Sequence, residues 1–249
     1  MNRNWILFVL FISPLTFSQV RNPVSRESEA EEPLPAGPDL MQEVRAQLPP
    51  MPLLLTGTVR TRQNRKQQDH RLVSELRFGD PVPTATYTLS DLFGDVITKV
   101  QVRWPEGTPE FFQWDAEGNA LPVPSPQDEV ADTGLTWSDL ALDFLWWPDA
   151  ESEGRDLIKS RSAVIVQLPA PPERDDVSSV KLWVDERAGF IVRAELLDEK
   201  GELLKRIEVD SIKKVREDLW MIKDLKIYDR STRSHIGIRF QEVVELEDK

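Results

Sequence analysis

Two aspartates four residues apart, Asp139 and Asp143, sit among three tryptophans, Trp137, Trp146 and Trp147, in the run GLTWSDLALDFLWWPDA. Paired carboxylates can act as general acid and base, but only in a cleft that drives their pKa values apart. The spacing predicts a solvated helix face for Asp143, and for Asp139 the N3 position of a capping box opened by Thr136. Tryptophans can stack on sugars or bases, yet Trp137 falls on the apolar stripe of the same helix and reads as a core or pocket wall. No G-x-S-x-G, H-E-x-x-H, Walker A or dinucleotide fingerprint is present. The two histidines, His70 and His235, lie 165 positions apart in charged surroundings and read as surface residues. Asp185-Glu186 and Asp198-Glu199 fall in hairpin turns and lack the ligand density of a calcium loop. These residues point to binding without catalysis, metal or cofactor.

The elements that must position them are mostly strands. Leu40, Met41, Val44 and Leu48 recur at helical spacing in DLMQEVRAQLPP, so a first helix starts at Asp39 and stops at Pro49-Pro50. LLLTGTVRTRQ, LVSELRFG and TATYTLSD read as strands of an antiparallel sheet. In Val96–Trp104 the residues Val96, Thr98, Val100, Val102 and Trp104 alternate with polar ones, the mark of a half-buried strand. Prolines 105, 109, 122, 124 and 126 make 105–133 an irregular excursion with one short strand at Phe111–Trp114, the kind of segment that serves as a lid. Trp137, Leu140, Ala141, Phe144 and Leu145 then form one continuous helical stripe, with Ser138, Asp139 and Asp143 outward and Pro148 as the stop.

After Gly154, strands are predicted at Ser162–Leu168, Ser179–Asp185, Phe190–Leu197, Glu202–Val209, Ile212–Arg216, Leu219–Asp229 and Ile236–Val244. Val180, Leu182 and Val184 share one face, as do Phe190, Val192, Ala194 and Leu196. With the earlier strands this makes ten or eleven, two helices and no βαβ pattern. The fold class is therefore mainly β with helices (α+β), built on one large curved antiparallel sheet.

Composition limits the partners. Hydrophobic residues make up 40% and charged residues 30%, a globular balance, and the net charge of −12 opposes nucleic acid and anionic lipid surfaces. Asn2-Arg3-Asn4 followed by the 13-residue apolar run Trp5–Phe17 reads as a signal peptide over 1–18, cut after Thr16-Phe17-Ser18. A retained anchor is the competing reading, although a bilayer span takes about 20 residues. Removing 1–18 takes away one positive charge, Arg3. Residues 19–38, with four prolines and four glutamates, are predicted to be a linker before a domain over 39–249. There is no cysteine, hence no disulfide, no thiolate metal site and no lipobox. A free monomer in an extracytoplasmic compartment, most simply a periplasm, is expected.

The segments TWSDLALDFLWWPDA, LPAPP, VKLWVDERAGFIVRAELLDEKGELLKRIEV and DLWMIKDLKIYD, with VRAQLPPMPLLLTGTV upstream, resemble the outer membrane lipoprotein-sorting proteins of the LolA-like superfamily from about Asp39 to the C-terminus. The resemblance implies an unclosed β-barrel covered by helices on its concave side. It also implies a soluble carrier of the acyl chains of lipoproteins or a related lipid, loaded by an inner-membrane exporter and unloaded to an outer-membrane acceptor, with no covalent chemistry. Pocket residues are then expected at Leu40, Val44, Trp137, Leu140, Phe144 and Trp147. The better-known carrier holds its lid with an arginine on the sheet. Arg60, Arg62 and Arg77 are candidates here, and the motif assigns none of them. Competing readings are a lipid- or lipoprotein-sensing module of the envelope, a hydrolase using clustered carboxylates, and a structural protein with no cavity.

Overall fold

The computed structural model describes residues 33–123, 125–216 and 219–247, so the expected signal peptide and residues 19–32 of the linker lie outside the described residues. The first helix, α1, spans Gly37–Ala46, with Pro38 in its first turn where a missing amide N–H costs nothing. Gly37 and Pro38 thus belong to the helix rather than to the linker. Leu40, Met41 and Val44 are buried at the expected spacing.

Five strands follow in a meander. They are β1 (Leu53–Gln63), β2 (Lys66–Arg77), β3 (Thr84–Ser90), β4 (Val96–Arg103) and β5 (Glu110–Trp114). The β1–β2 hairpin closes on Asn64 and Arg65, both at positive φ (48° and 65°), which is the backbone a two-residue hairpin loop requires. On β4, Thr98, Val100 and Val102 are buried as predicted, but Val96 lies beyond a register shift and is 41% exposed.

Seven more strands follow the irregular segment. They are β6 (Glu151–Ile158), β7 (Arg161–Pro169), β8 (Ser179–Asp185), β9 (Ile191–Leu197), β10 (Leu203–Arg216), β11 (Leu219–Asp229) and β12 (Ser234–Glu245). The predicted strands Glu202–Val209 and Ile212–Arg216 are one strand, β10, with register shifts around Ser211 that hide its continuity. β6 gives no alternating signal because ESEGRDLI is an edge strand, where charge protects open hydrogen-bonding groups from other chains.

All twelve strands form one antiparallel sheet in the order β5-β4-β3-β2-β1-β12-β11-β10-β9-β8-β7-β6. The first and last strands meet in the middle, and β5 and β6 are the two free edges, so the sheet is not closed into a barrel. Gly57 lies at the β1–β12 register shift. A β-carbon there would sit 2.3 Å from the Arg239 carbonyl oxygen, so only glycine permits that approach.

One main cluster fills the inner face, joining Leu53, Leu55 and Val59 of β1 to Val164, Leu168, Val180 and Leu182 on the far side, together with Leu40, Met41 and Val44. A small second cluster of Ile158, Ala163, Trp183 and Val192 lies on the other face. Val192 was expected beside Ala194, but the register slips between Trp183 and Val184, so Ile191 takes the inward place and Val192 turns out. Asp185 accepts hydrogen bonds from the Arg187 and Ala188 amides, and Asp198 from Lys200 and Glu202, so these acidic pairs are turn chemistry as predicted.

Candidate functional site

Because β5 and β6 are opposite edges, the connection between them, residues 115–150, has to travel across the whole width of the sheet. This connection carries the aromatic helix. Thr136 caps it as predicted: its hydroxyl accepts from the Asp139 amide, and the Asp139 carboxylate accepts from the Thr136 amide. The helix is shorter than predicted. α2 covers only Trp137–Ala141, Leu142 then adopts a left-handed backbone (φ 44°, ψ 44°), and a 3-10 turn over Asp143–Trp146 replaces the rest.

That break corrects the assignment of outward residues. On an unbroken helix, Asp139 and Asp143 share a face away from the apolar stripe. With Leu142 reversing the chain, both carboxylates are buried along with the stripe, Asp139 at 7% exposure and Asp143 at 8%. A buried carboxylate needs a charged partner, and each has one. Lys205 of β10 donates to both oxygens of Asp139 at 3.0 and 2.9 Å. Arg174, in the loop before β8, donates to Asp143 and makes a two-pronged contact with Asp176 at 2.7 and 2.8 Å.

Five further contacts hold the connection. The Thr61 hydroxyl of β1 donates to the Thr133 carbonyl, and the Tyr87 hydroxyl of β3 donates to the Leu140 carbonyl at 3.1 Å. Arg45 of α1 donates to the Leu145 carbonyl at 2.8 Å and lies over the Trp146 ring. Trp137 meets Phe111 of β5 edge-on, with centroids 5.5 Å apart. Burial raises the Tyr87 pKa, which keeps its hydroxyl a donor. Among the arginines considered from sequence, Arg60 binds Asp69, Arg62 binds Gln67 and Arg77 binds Glu75. Arg45 of α1, which no sequence motif singles out, is an arginine that reaches a carbonyl of the aromatic segment.

The six expected pocket residues come together. Leu40, Val44, Trp137, Leu140, Phe144 and Trp147 are all buried and belong to the main cluster. They share that cluster with inward residues of the sheet. One cavity of about 420 Å³ opens beside them, between α1 at Met41 and Arg45 and the stretch Trp146–Ala150, with Trp147 in its wall. A larger cavity of about 740 Å³ lies near the start of α2, bordered by Thr61, Ser138, Asp139, Lys205 and Asp229, and none of the six lines it. Among the described residues no three His, Asp or Glu side chains are grouped to hold a metal ion. His70 is on β2 and His235 on β12, where it packs on Tyr228.

The two carboxylates on Arg174 have opposite pH responses. Burial dominates at Asp143 and raises its pKa despite the neighbouring guanidinium. Burial also pushes Asp176 up, but its two hydrogen bonds and the charge of Arg174 outweigh this and leave its pKa lowered. A lowered carboxylate gives stability that is present above its unfolded value of about 4 and is lost as pH falls through the folded value. A raised one does the reverse and gains stability as pH falls through its folded value. At neutral pH, Asp176→Asn is therefore expected to cost more than Asp143→Asn, by about 1.5 kcal/mol, the low end for charge-assisted bonds because the Asp176 side chain is 29% exposed. The difference should shrink toward about pH 3. Urea midpoints of both variants at the two pH values check this, and equal costs at neutral pH would refute it.

The chain's likeness to known proteins falls on this same framework. A family model described as an uncharacterized protein matches residues 122–246, which is half of the chain and includes the aromatic segment and β6 to β12. No curated protein is significantly similar in sequence. Among solved structures, a DUF1329 family protein from Desulfovibrio piger is 16% identical with a TM-score of 0.74, covering 85% of this chain and 94% of its own. A putative outer membrane lipoprotein-sorting protein domain from Vibrio parahaemolyticus is 12% identical with a TM-score of 0.75, again over 85% and 94%. A LolA superfamily protein from Nitrosomonas europaea is 11% identical with a TM-score of 0.66, over 87% and 96%. At these identities the likeness concerns the fold.

Proposed function

We propose that this chain, which belongs to the family described as an uncharacterized protein and has the LolA-superfamily fold, is a periplasmic carrier. It takes the acyl chains of a lipoprotein or related lipid between its helices and sheet and ferries them toward the outer membrane. The cargo comes from an inner-membrane exporter and passes to an outer-membrane acceptor, with no covalent step.

The observation that carries this reading is the way the aromatic segment is held. Its underside is apolar, yet it joins the sheet through a few side-chain contacts, not through a ladder of backbone bonds. Placement of the helices on the concave face has its own support. Trp137 touches β5 while Asp139, two residues on, is bonded from β10. Those strands are seven places apart in the sheet, about 34 Å if the sheet were flat. Residues so close in sequence bridge that span comfortably only if the sheet curls around them.

Physical chemistry supplies the need. Each exposed CH₂ costs about 0.8 kcal/mol, so a C16 chain crossing water bare would be penalised by roughly 12 kcal/mol. Leu40, Val44, Trp137, Leu140, Phe144 and Trp147 offer the apolar surface that would replace water once the lid opens. The cavity beside Trp147 and Met41 marks where an acyl chain would start to part α1 from the aromatic segment.

Native mass spectrometry of the secreted protein, followed by lipid extraction, tests the proposal. Bound acylated material is expected, and protein that is lipid-free and binds no apolar fluorescent probe would refute it. Arg45→Ala should lower stability by about 1–2 kcal/mol through loss of one hydrogen bond and one cation–π contact. It should also speed uptake of the probe in stopped-flow mixing. Unchanged uptake would remove Arg45 from the latch.

A further inference from the structure

The smaller cavity combines an apolar floor with a cation that has no counter-ion. Met41, Trp147 and Ala150 line it and all belong to the main core cluster, so its floor is continuous with the apolar interior. The turn between β4 and β5, at Glu106 and Gly107, forms another wall, and a β-carbon on Gly107 would lie 3.6 Å from Trp146 Cβ. At about 420 Å³, the space falls within the range of small-molecule sites, about 300–1,000 Å³.

Arg45 is the cation. Its side chain lines the cavity, its guanidinium lies 5.8 Å from the Trp146 ring centroid, and it donates one hydrogen bond, to the Leu145 carbonyl at 2.8 Å. A guanidinium has five N–H donors, and the rest have no hydrogen-bonding partner among the described residues. Burial lowers the Arg45 pKa, and no neighbouring carboxylate acts to raise it. Glu106 and Asp149 also border the cavity, but both are exposed and neither forms an ion pair with Arg45. Arg174, the other arginine lying over a tryptophan of this segment, is neutralised by Asp143 and Asp176. A partly desolvated guanidinium without a counter-ion favours an anion.

We infer that this cavity takes the head of an anionic amphiphile, a carboxylate or phosphate on an alkyl chain, with the head on Arg45 and the chain entering between Met41 and Trp147. The inference rests on the carrier reading and narrows its cargo, because a neutral acyl ester gives Arg45 no counter-ion. Hydrogen bonds to an ionised acceptor are roughly twice as strong as neutral ones. An arriving anion therefore draws Arg45 away from the Leu145 carbonyl and loosens the aromatic segment as the chain enters. Fatty acids and phospholipids both carry the required group.

Isothermal titration of the full chain at neutral pH with decanoate, decyl phosphate, decanol and decyltrimethylammonium tests it. Both anions are expected to bind at least about tenfold tighter than decanol. Arg45→Met should bring anion and decanol affinities to parity, whereas Arg45→Lys, which keeps the charge without the fork, should retain part of the preference. Comparing ligands within one variant separates the preference from any effect on folding or on the latch.

Tighter binding of decyl phosphate makes the ligand a phospholipid head, tighter binding of decanoate makes it a fatty acid, and equal binding admits both; each upholds the site. Equal binding of decanol, no binding of either anion, tightest binding of decyltrimethylammonium, or a preference that survives in Arg45→Met overturns it. The carrier reading then still stands if decanol or the apolar fluorescent probe binds, and falls if neither does.

Discussion

Replacing Lys205 with methionine is expected to lower the stability of this protein by about 3–5 kcal/mol, the cost of leaving a buried ion pair with one member. Methionine keeps most of the apolar stem and removes the ammonium. Asp139, whose side chain is 2% exposed, then has no cation, and Asp229 at 14% loses its share of the same charge. Asp139 cannot turn away to water, because its other task is to cap the first turn of α2. Adding Asp139→Asn to Lys205→Met should therefore recover part of the loss, so that the two changes together cost less than their sum. Urea denaturation of the single and double variants measures this. A loss below about 1 kcal/mol for Lys205→Met, a value typical of exposed pairs, would show that the pair does not hold β10 to the aromatic segment.

The inward position of Lys205 is legible in the sequence. In LLKRIEV, residues 205 and 207 share a strand face, and Ile207 is a core residue, so the alternation already points the lysine inward. A lysine at an inward position requires a carboxylate opposite, and Asp139 was at hand. Arg174 gave no comparable sign. It sits in PAPPERDD, where composition says loop and nothing says which side chain returns to the core. Strands with clean alternation were read almost to the residue, β1 and β8 among them, because half-burial writes period two into the sequence. Bulges erase that period, which is why β10 was split and Val192 put on the wrong face.

The break in the aromatic helix has a different origin. Leu142 has good helix propensity, and Trp137, Leu140, Ala141, Phe144 and Leu145 fit an unbroken stripe. Local preference therefore favoured a longer helix. Tertiary bonds overruled it, since only a reversed backbone at Leu142 lets Asp143 reach Arg174 while Asp139 reaches Lys205. The burial of Trp137, Leu140 and Phe144 could still be read from sequence, because the stripe survives the break. What sequence could not give was the polar cavity beside them. Its walls come from β1, β2, the connection, the loop before β8, β9, β10, β11 and β12, stretches spread over most of the chain.

If the proposed uptake of acyl chains needs the connection to move, tying it to the sheet covalently should stop that uptake, and this chain offers a clean way to do it because it contains no cysteine. Gly134 packs against β1 and β12, and a β-carbon at that position would lie 3.2 Å from Thr61 Cγ2. The two β-carbons would then be within about 3.3–4.7 Å, which spans the ~3.5–4.5 Å of a disulfide. Thr61→Cys with Gly134→Cys should therefore cross-link under mild oxidation. Residue 134 has φ of +73°, so Gly134→Cys alone is expected to cost about 1–2 kcal/mol, and that variant separates strain from tethering. Oxidised, the double variant should take up an apolar probe at least about tenfold more slowly than the unaltered protein, as for any site gated by lid opening. Reduction should restore uptake to the level of the two single variants. If the cross-linked protein fills as fast as the free one, the connection over β1 does not move during loading, and entry must come from parting α1 at Arg45 instead.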